Sequence, residues 1–322
     1  MNKKVILIGF GSEIGSMLLF MNNPTKDNFI IDTVITNYIV NSSYSPIESL
    51  RARIIMANPS VIDKVKIVDS NCLSVNKRKI KIIWGNLNNL DLKSLKKKNF
   101  FAAIIATSKK DISNLKTIKK IQTISKYVFG VAESKIIPSY YNNIRDNINS
   151  LSRCRQITKE TYFALGSCQS TGWTSQINCF LDLMKFNKVT DFKIHSNQLE
   201  IVHPDTPTGR LGTKSIDPRM QDARDNLRPS FSQATITMDK IFPNSKNINT
   251  ISLRTLTMPP GFQICRIFFS YNAKKRITKK MIVNSFKKTE KKNKNVVMLS
   301  NDSLGSKAYE AVDSSSVILI ND

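Results

Sequence analysis

Histidine is almost missing from this 322-residue chain, which has only His195 and His203. Any chemistry that needs an imidazole therefore has two candidates. Acid is scarce as well, with 24 Asp and Glu against 49 Lys and Arg, a formal net charge of +25. That balance suits a polyanion such as nucleic acid. However, the lysines are spread along the chain among Asn and Ile (Lys77 to Lys81, Lys96 to Lys98, Lys109 to Lys120, Lys274 to Lys292), the pattern of solvated faces. Cys72, Cys154, Cys168, Cys179 and Cys265 form an odd, scattered set without CxxC spacing, which argues against a disulfide framework or a zinc site. No apolar run is long enough to span a membrane, and MNKKVILIGFG is too soon broken by glycine for a signal h-region. With 41% hydrophobic and 23% charged residues the chain reads as a folded cytoplasmic protein with room for two domains.

What is present begins with Val5-Ile6-Leu7-Ile8, a buried-strand run, followed by Gly9, Phe10, Gly11, Ile14 and Gly15 and then a helical stretch from Ser16 to Met21. A strand, a glycine turn and a helix start suit a dinucleotide pyrophosphate, since glycine lets the backbone approach and the helix offers N–H donors. The spacing is GxGxxxG, one residue longer than the usual fingerprint. Phe29 to Thr36 is a second strand and ends at Asn37, where dinucleotide folds commonly place an acid; the uncharged amide leaves both NAD and NADP open. Val65 to Val68 and Lys79 to Trp84 read as a hairpin around Val75-Asn76-Lys77, and Leu87 to Leu95 as a helix. Phe101 to Ala106 is a strand leading to Thr107, Ile112 to Ser125 an amphipathic helix, and Tyr127 to Ala132 a strand. These βα units predict an α/β, Rossmann-like first domain over residues 1–160.

The texture changes at ALGSCQSTGWTSQINC, residues 164–179. Cys168 follows a Gly-Ser turn at a predicted helix start, where unpaired N–H groups favour a thiolate; a small buried residue in a turn is the plainer reading. Beyond the helix Trp173 to Phe186 come strand-like runs at Asp191 to His195, Leu199 to His203, Ile251 to Leu256 and Phe262 to Tyr271, with helices near Thr235 to Ile241 and Lys279 to Lys288. Strands so clustered predict an α+β catalytic domain over residues 161–322 with a mainly antiparallel sheet.

The order of these parts resembles the glyceraldehyde-3-phosphate dehydrogenase family over nearly the whole chain. VILIGFGSEIGSMLL is similar to its strand-GFGRIGR-helix opening with one residue inserted, GSCQST to its SCTTN motif, and IVHPDTPT to its histidine strand. DARDNLRPSFSQATITMDKIFP, ISLRTLT and SNDSLGSKAYEAVDSSSVIL resemble later segments in the same order. The resemblance implies an NAD- or NADP-dependent oxidoreductase that oxidises a phosphorylated aldehyde, with Cys168 forming a thioester and His203 as its base. It places Gly9, Phe10, Gly11, Ile14 and Thr107 at the cofactor, and Thr206, Ser232 and Arg254 at phosphate groups of the substrate and attacking anion. It also implies a homotetramer.

Departures keep alternatives open. Cys168 and His203 are 35 residues apart where the family has somewhat fewer than thirty, so a longer helix, His195 as partner (27 after Cys168), or Ser175 at the nucleophile position (28 before His203) would each restore the spacing. With Ser175 there, the chain would be an inert relative, binding a polyanion such as nucleic acid through its charge. Gln169 stands where the family has a phosphate-holding threonine, and Gln233 where it has a glycine. The family also continues past the counterpart of Asp322, which implies a member short at that end.

Overall fold

Four successive side chains of β1 (Lys3–Ile8), Val5 to Ile8, are buried, as in a strand covered on both faces. Val5 and Leu7 enter one core with Leu19, Leu50 and Ile54; Ile6 and Ile8 enter another with Ile112, Ile118 and Ile121. The computed structural model describes residues 2–10, 13–38, 43–57, 59–87, 89–107, 109–141, 160–204, 228–230, 232–241, 247–256, 260–272, 276–309, 312 and 314–320. The chain divides into two compact units, Met1–Pro138 with Thr158–Leu165, and Ser139–Ile157 with Gly166–Asp322.

In the first unit, β1 is followed by α1 (Glu13–Met21), β2 (Phe29–Thr36), α2 (Pro46–Ala57), β3 (Val65–Asp69), β4 (Cys72–Val75), β5 (Arg78–Trp84), α3 (Lys93–Lys96), β6 (Phe100–Ile105), α4 (Lys109–Ile112), α5 (Leu115–Gln122), β7 (Ser125–Gly130) and β8 (Tyr162–Ala164). They build an eight-stranded, mostly parallel sheet in the order β3-β4-β5-β2-β1-β6-β7-β8. Six of its strands, β5-β2-β1-β6-β7-β8, are mutually parallel. Numbered along the chain, those six lie 3-2-1-4-5-6, so the order reverses between β1 and β6.

Three details depart from the sequence expectation. The expected hairpin has three strands, and its Asn76-Lys77 turn joins β4 to β5 with both residues at positive φ (48° and 64°), the two-residue geometry that matches strand twist. Between Leu87 and Leu95 only the short α3 is helical, because Asp91 Oδ1 takes the Lys93 N–H and the Asn86 carbonyl closes a turn onto Asn89 and Leu90. The helix expected over Ile112 to Ser125 is two, because Asn114 breaks it and restarts it as the N-cap of α5, accepting from Lys116 and Thr117 N–H.

The second unit contains α6 (Cys168–Phe186), β9 (Phe192–Pro204), β10 (Arg228–Ser230), α7 (Ala234–Ile241), β11 (Ile248–Thr255), β12 (Phe262–Tyr271), α8 (Lys279–Lys292), β13 (Val297–Ser300) and β14 (Ser316–Leu319). Its main sheet runs β10-β11-β9-β12. The outer pairings β10–β11 and β9–β12 are antiparallel, but the central β9–β11 ladder is parallel, as is the small β13–β14 pair. The sheet is thus antiparallel in two of its three ladders, and the parallel one follows from the path of the chain: α7 lies between β9 and β11, and a helical crossover returns a strand in the same direction. One face of the sheet is covered by α6 and α7 through Trp173, Ile177, Leu199, Ile201, Ala234 and Met238. Among the described residues no helix is long and apolar enough to cross a membrane.

Candidate functional site

In the second unit the chain enters α6 through Gly166 at φ +67, a left-handed turn that glycine adopts readily. Ser167 is the N-cap, its Oγ accepting the Ser170 N–H at 3.4 Å. Cys168 is thus the first residue of a 19-residue helix and is exposed. The contrast with its neighbours in type is sharp. Burial pushes the Cys179 thiol up to about 12, helped by the nearby negative Asp182. Burial likewise pushes the Cys265 thiol up to about 12, against an opposing hydrogen bond from Trp173. Cys154 lies outside the described residues.

The direction of α6 decides what stands near Cys168. Phe180 packs on Phe192 and Phe269, at the start of β9 and the far end of β12. Trp173 Nε1 donates to Asn197 Oδ1 at 2.7 Å, midway along β9. The Gln263 side chain, opposite Ile201, fills the space that a Cβ on Gly172 would take. Successive contacts move down the helix as they move up the strand, so α6 runs antiparallel to β9 and begins at its Pro204 end. His203 shares a strand face with Asn197, Leu199 and Ile201, the face under α6, and pairs in register with Arg254 of β11.

Two side chains meet at the Pro204 carbonyl. His203 Nδ1 lies 2.6 Å from it and Arg254 Nη1 donates to it at 3.0 Å. A carbonyl only accepts, so Nδ1 carries the proton, and in the neutral ring Nε2 holds the lone pair. Arg254 is buried, only 3% exposed. Ser232 is also buried; its Oγ donates to Gln169 Oε1 at 3.2 Å and accepts the Ala234 N–H at 3.3 Å, tying the start of α7 to the start of α6. Thr206 lies outside the described residues.

The two alternative residues stand elsewhere. Ser175 sits two turns into α6, fully buried, its Oγ donating to the Thr171 carbonyl at 2.8 Å and accepting from Ser316 Oγ at 3.2 Å. His195 is exposed near the other end of β9, with Nε2 2.8 Å from Ser270 Oγ. Their sequence spacing thus fits a partner, but their positions are a helix core and a strand bulge.

In the first unit the strand order reverses between β1 and β6. Gly9 ends β1 at φ +95, and a Cβ there would lie 2.7 Å from both the Ala106 carbonyl oxygen and Thr107 Cγ2 at the end of β6. The ring of Phe10 is core, and its carbonyl accepts from Thr36 Oγ1 at 2.8 Å, which fixes the turn. Ile14 is 51% exposed on the first turn of α1, Asn37 is exposed beyond β2, and exposed Thr107 donates Oγ1 to Asp111 at 2.7 Å. Gly11 lies outside the described residues. Tyr38, next to Asn37, stacks on Trp84 at the end of β5 with centroids 5.3 Å apart.

Neither a protein-family model nor a curated protein matches this chain. The site therefore stands on its geometry. Sequence reasoning missed the Pro204 carbonyl as the atom binding His203 to Arg254, and the signal was available: a histidine directly before a proline at a strand end. It also missed the Gln169–Ser232 contact, since residues 63 apart carry no local pattern.

Proposed function

We propose that this protein is a dehydrogenase of the glyceraldehyde-3-phosphate dehydrogenase kind, oxidising a phosphorylated aldehyde with NAD or NADP through a thioester on Cys168. The observation that carries the reading is an exposed thiol on the first turn of a capped helix, at the strand end that holds His203 and Arg254. The helix N-terminus favours the Cys168 thiolate, and His203 Nε2 accepts the thiol proton. Cys168 sulfur then bonds to the aldehyde carbon, and His203 stabilises the oxygen that forms. Arg254, with Thr206, is the candidate holder of the substrate phosphate.

The first unit is read as Rossmann-like on its 3-2-1-4-5-6 parallel order and on the glycine at the reversal point. Its residues fit a dinucleotide: the chain leaves β1 through Gly9 at φ +95, packed close on the end of β6, and Ile14, Asn37 and Thr107 are exposed beyond β1, β2 and β6. When bound, the dinucleotide supplies the electron-pair acceptor that converts the thiol adduct to a thioester. A cytoplasmic location goes with this reading, since an activated thiol stays reduced there.

Calorimetric titration with NAD and NADP, followed by the absorbance of reduced cofactor with triose and tetrose phosphate aldehydes, tests the proposal. Binding of at least one dinucleotide and turnover of at least one aldehyde are expected. Binding of neither would sink it.

Self-association is part of the same proposal. The face of the second sheet away from α6 shows Ile251, Phe262, Ile264 and Phe268 at 61%, 47%, 41% and 51% exposure, with the Glu200–Arg266 ion pair among them. Large apolar side chains grouped on one exposed sheet face suit contact with another copy of the chain. A sedimentation coefficient above that of a 36.5 kDa monomer is expected at micromolar concentration. A monomer throughout would remove this part of the reading.

A further inference from the structure

We infer that the thioester on Cys168 is released by water and not by phosphate, so that the product is a carboxylic acid. The inference rests on the thioester chemistry proposed above and goes beyond it in naming the acceptor. Beyond the first-turn N–H groups of α6, which favour the thiolate itself, a phosphate dianion attacking beside Cys168 needs further donors that face it, hydroxyls or a cation. The described hydroxyls around the start of α6 are committed within the protein. Ser167 Oγ accepts the Ser170 N–H and lies 3.4 Å from Ser170 Oγ, and Thr171 Oγ1 donates to the Ser167 carbonyl at 3.1 Å.

Ser232, the group that starts α7, is the telling case. It is 4% exposed, caps Ala234 N–H with its lone pair and gives its proton to Gln169 Oε1. The side-chain amide oxygen thus occupies the acceptor position that an anion's oxygen would take, and it is built into the residue directly after Cys168. The Arg254 guanidinium, with Nη1 on the Pro204 carbonyl, is taken up by the substrate phosphate in the reading above and does not serve a second anion. An incoming phosphate would have to break the Gln169–Ser232 bond and find room beside a glutamine side chain, whereas water needs neither.

The step balances without a further reactant. Water oxygen bonds to the thioester carbonyl carbon, its proton goes to His203 Nε2, and the C–S bond breaks with the electron pair leaving on Cys168 sulfur. That sulfur regains the proton, and the acid departs.

The test avoids the dinucleotide altogether. Wild-type protein is acetylated with p-nitrophenyl acetate, and loss of the acetyl group from the Cys168 peptide is followed by mass spectrometry in phosphate-free buffer and in excess inorganic phosphate. The expected result is the same rate in both, with acetate as product. Gln169→Ala opens the space beside Ser232 and is expected to gain about tenfold acceleration by phosphate, on the scale of one hydrogen bond to a charged group. A wild-type rate that climbs with phosphate and yields acetyl phosphate overturns the inference while leaving the thiol reading intact. A protein that never acetylates at Cys168 overturns both.

Discussion

Cys168→Ala is expected to abolish aldehyde oxidation, a loss of at least about 10³-fold, because no other thiol stands on the first turn of α6 and its hydroxyls are engaged within the protein. The same cysteine should be the one that reacts with mild iodoacetamide at neutral pH, ahead of Cys72, Cys179 and Cys265. The ordering follows from the thiolate being the reactive form. For Cys179 and Cys265 burial favours the neutral thiol and raises the value to about 12, so both remain protonated at pH 7, and Cys179 is buried as well. Cys168 is exposed at a positive helix end, which favours the anion. Peptide mapping after partial alkylation reads the order directly, and uniform slow labelling of all cysteines would defeat the assignment. His203→Gln should slow the reaction by about 10²- to 10⁴-fold and flatten its pH profile, the range expected for losing a general base. His195→Gln should leave the rate unchanged, since that ring sits by Ser270 near the far end of the same strand. An effect of equal size at His195 would exchange the two roles.

Much of the first unit was legible because parallel strands buried on both faces are written as unbroken β-branched and aromatic runs. Phe29 to Thr36 needs no adjustment at either end. The second unit concealed more. Ser196 and Asn197 read as a polar break between two strands, yet β9 runs through them, because buried Asn197 takes the Trp173 indole N–H. With one strand in place of two, His195 and His203 cannot both lie beside Cys168. The start of α6 was legible in its turn and not in its periodicity: apolar spacing begins only at Trp173, but the Gly166-Ser167 pair marks a helix start, and the Ser167 cap winds the helix from Cys168. The register that put an inert Ser175 at the nucleophile position counts residues, whereas the fold decides by depth, and Ser175 faces Ser316 inside the unit. The parallel β9–β11 ladder joins segments separated by α7, a pairing that no local pattern announces.

Trp173→Ala should be among the most destabilising single changes in the second unit, about 3–5 kcal/mol for the lost packing of a large aromatic side chain. Trp173 is fully buried in the core between α6 and the sheet. Its removal also leaves buried Asn197 Oδ1 without the indole donor at 2.7 Å, an unmet acceptor with only the weak Cys265 thiol at 3.5 Å beside it. Trp173→Phe separates the two contributions, since it keeps most of the ring volume and removes the N–H. It should cost about 1–3 kcal/mol, the range for leaving a buried polar group unpaired. Urea unfolding of the two variants against wild type measures both, and equal midpoints for Trp173→Phe and wild type would show that the indole bond contributes nothing. The consequence for function follows from the direction of α6. The helix is held on the sheet at Trp173, five residues after Cys168, while its start is held separately by Ser167 and by the Gln169–Ser232 bond. Below its unfolding transition, Trp173→Phe should therefore keep Cys168 as the fastest-alkylating thiol. Loss of that preference in a folded variant would mean that the sheet anchor, and not the cap, sets the reactivity of the thiol.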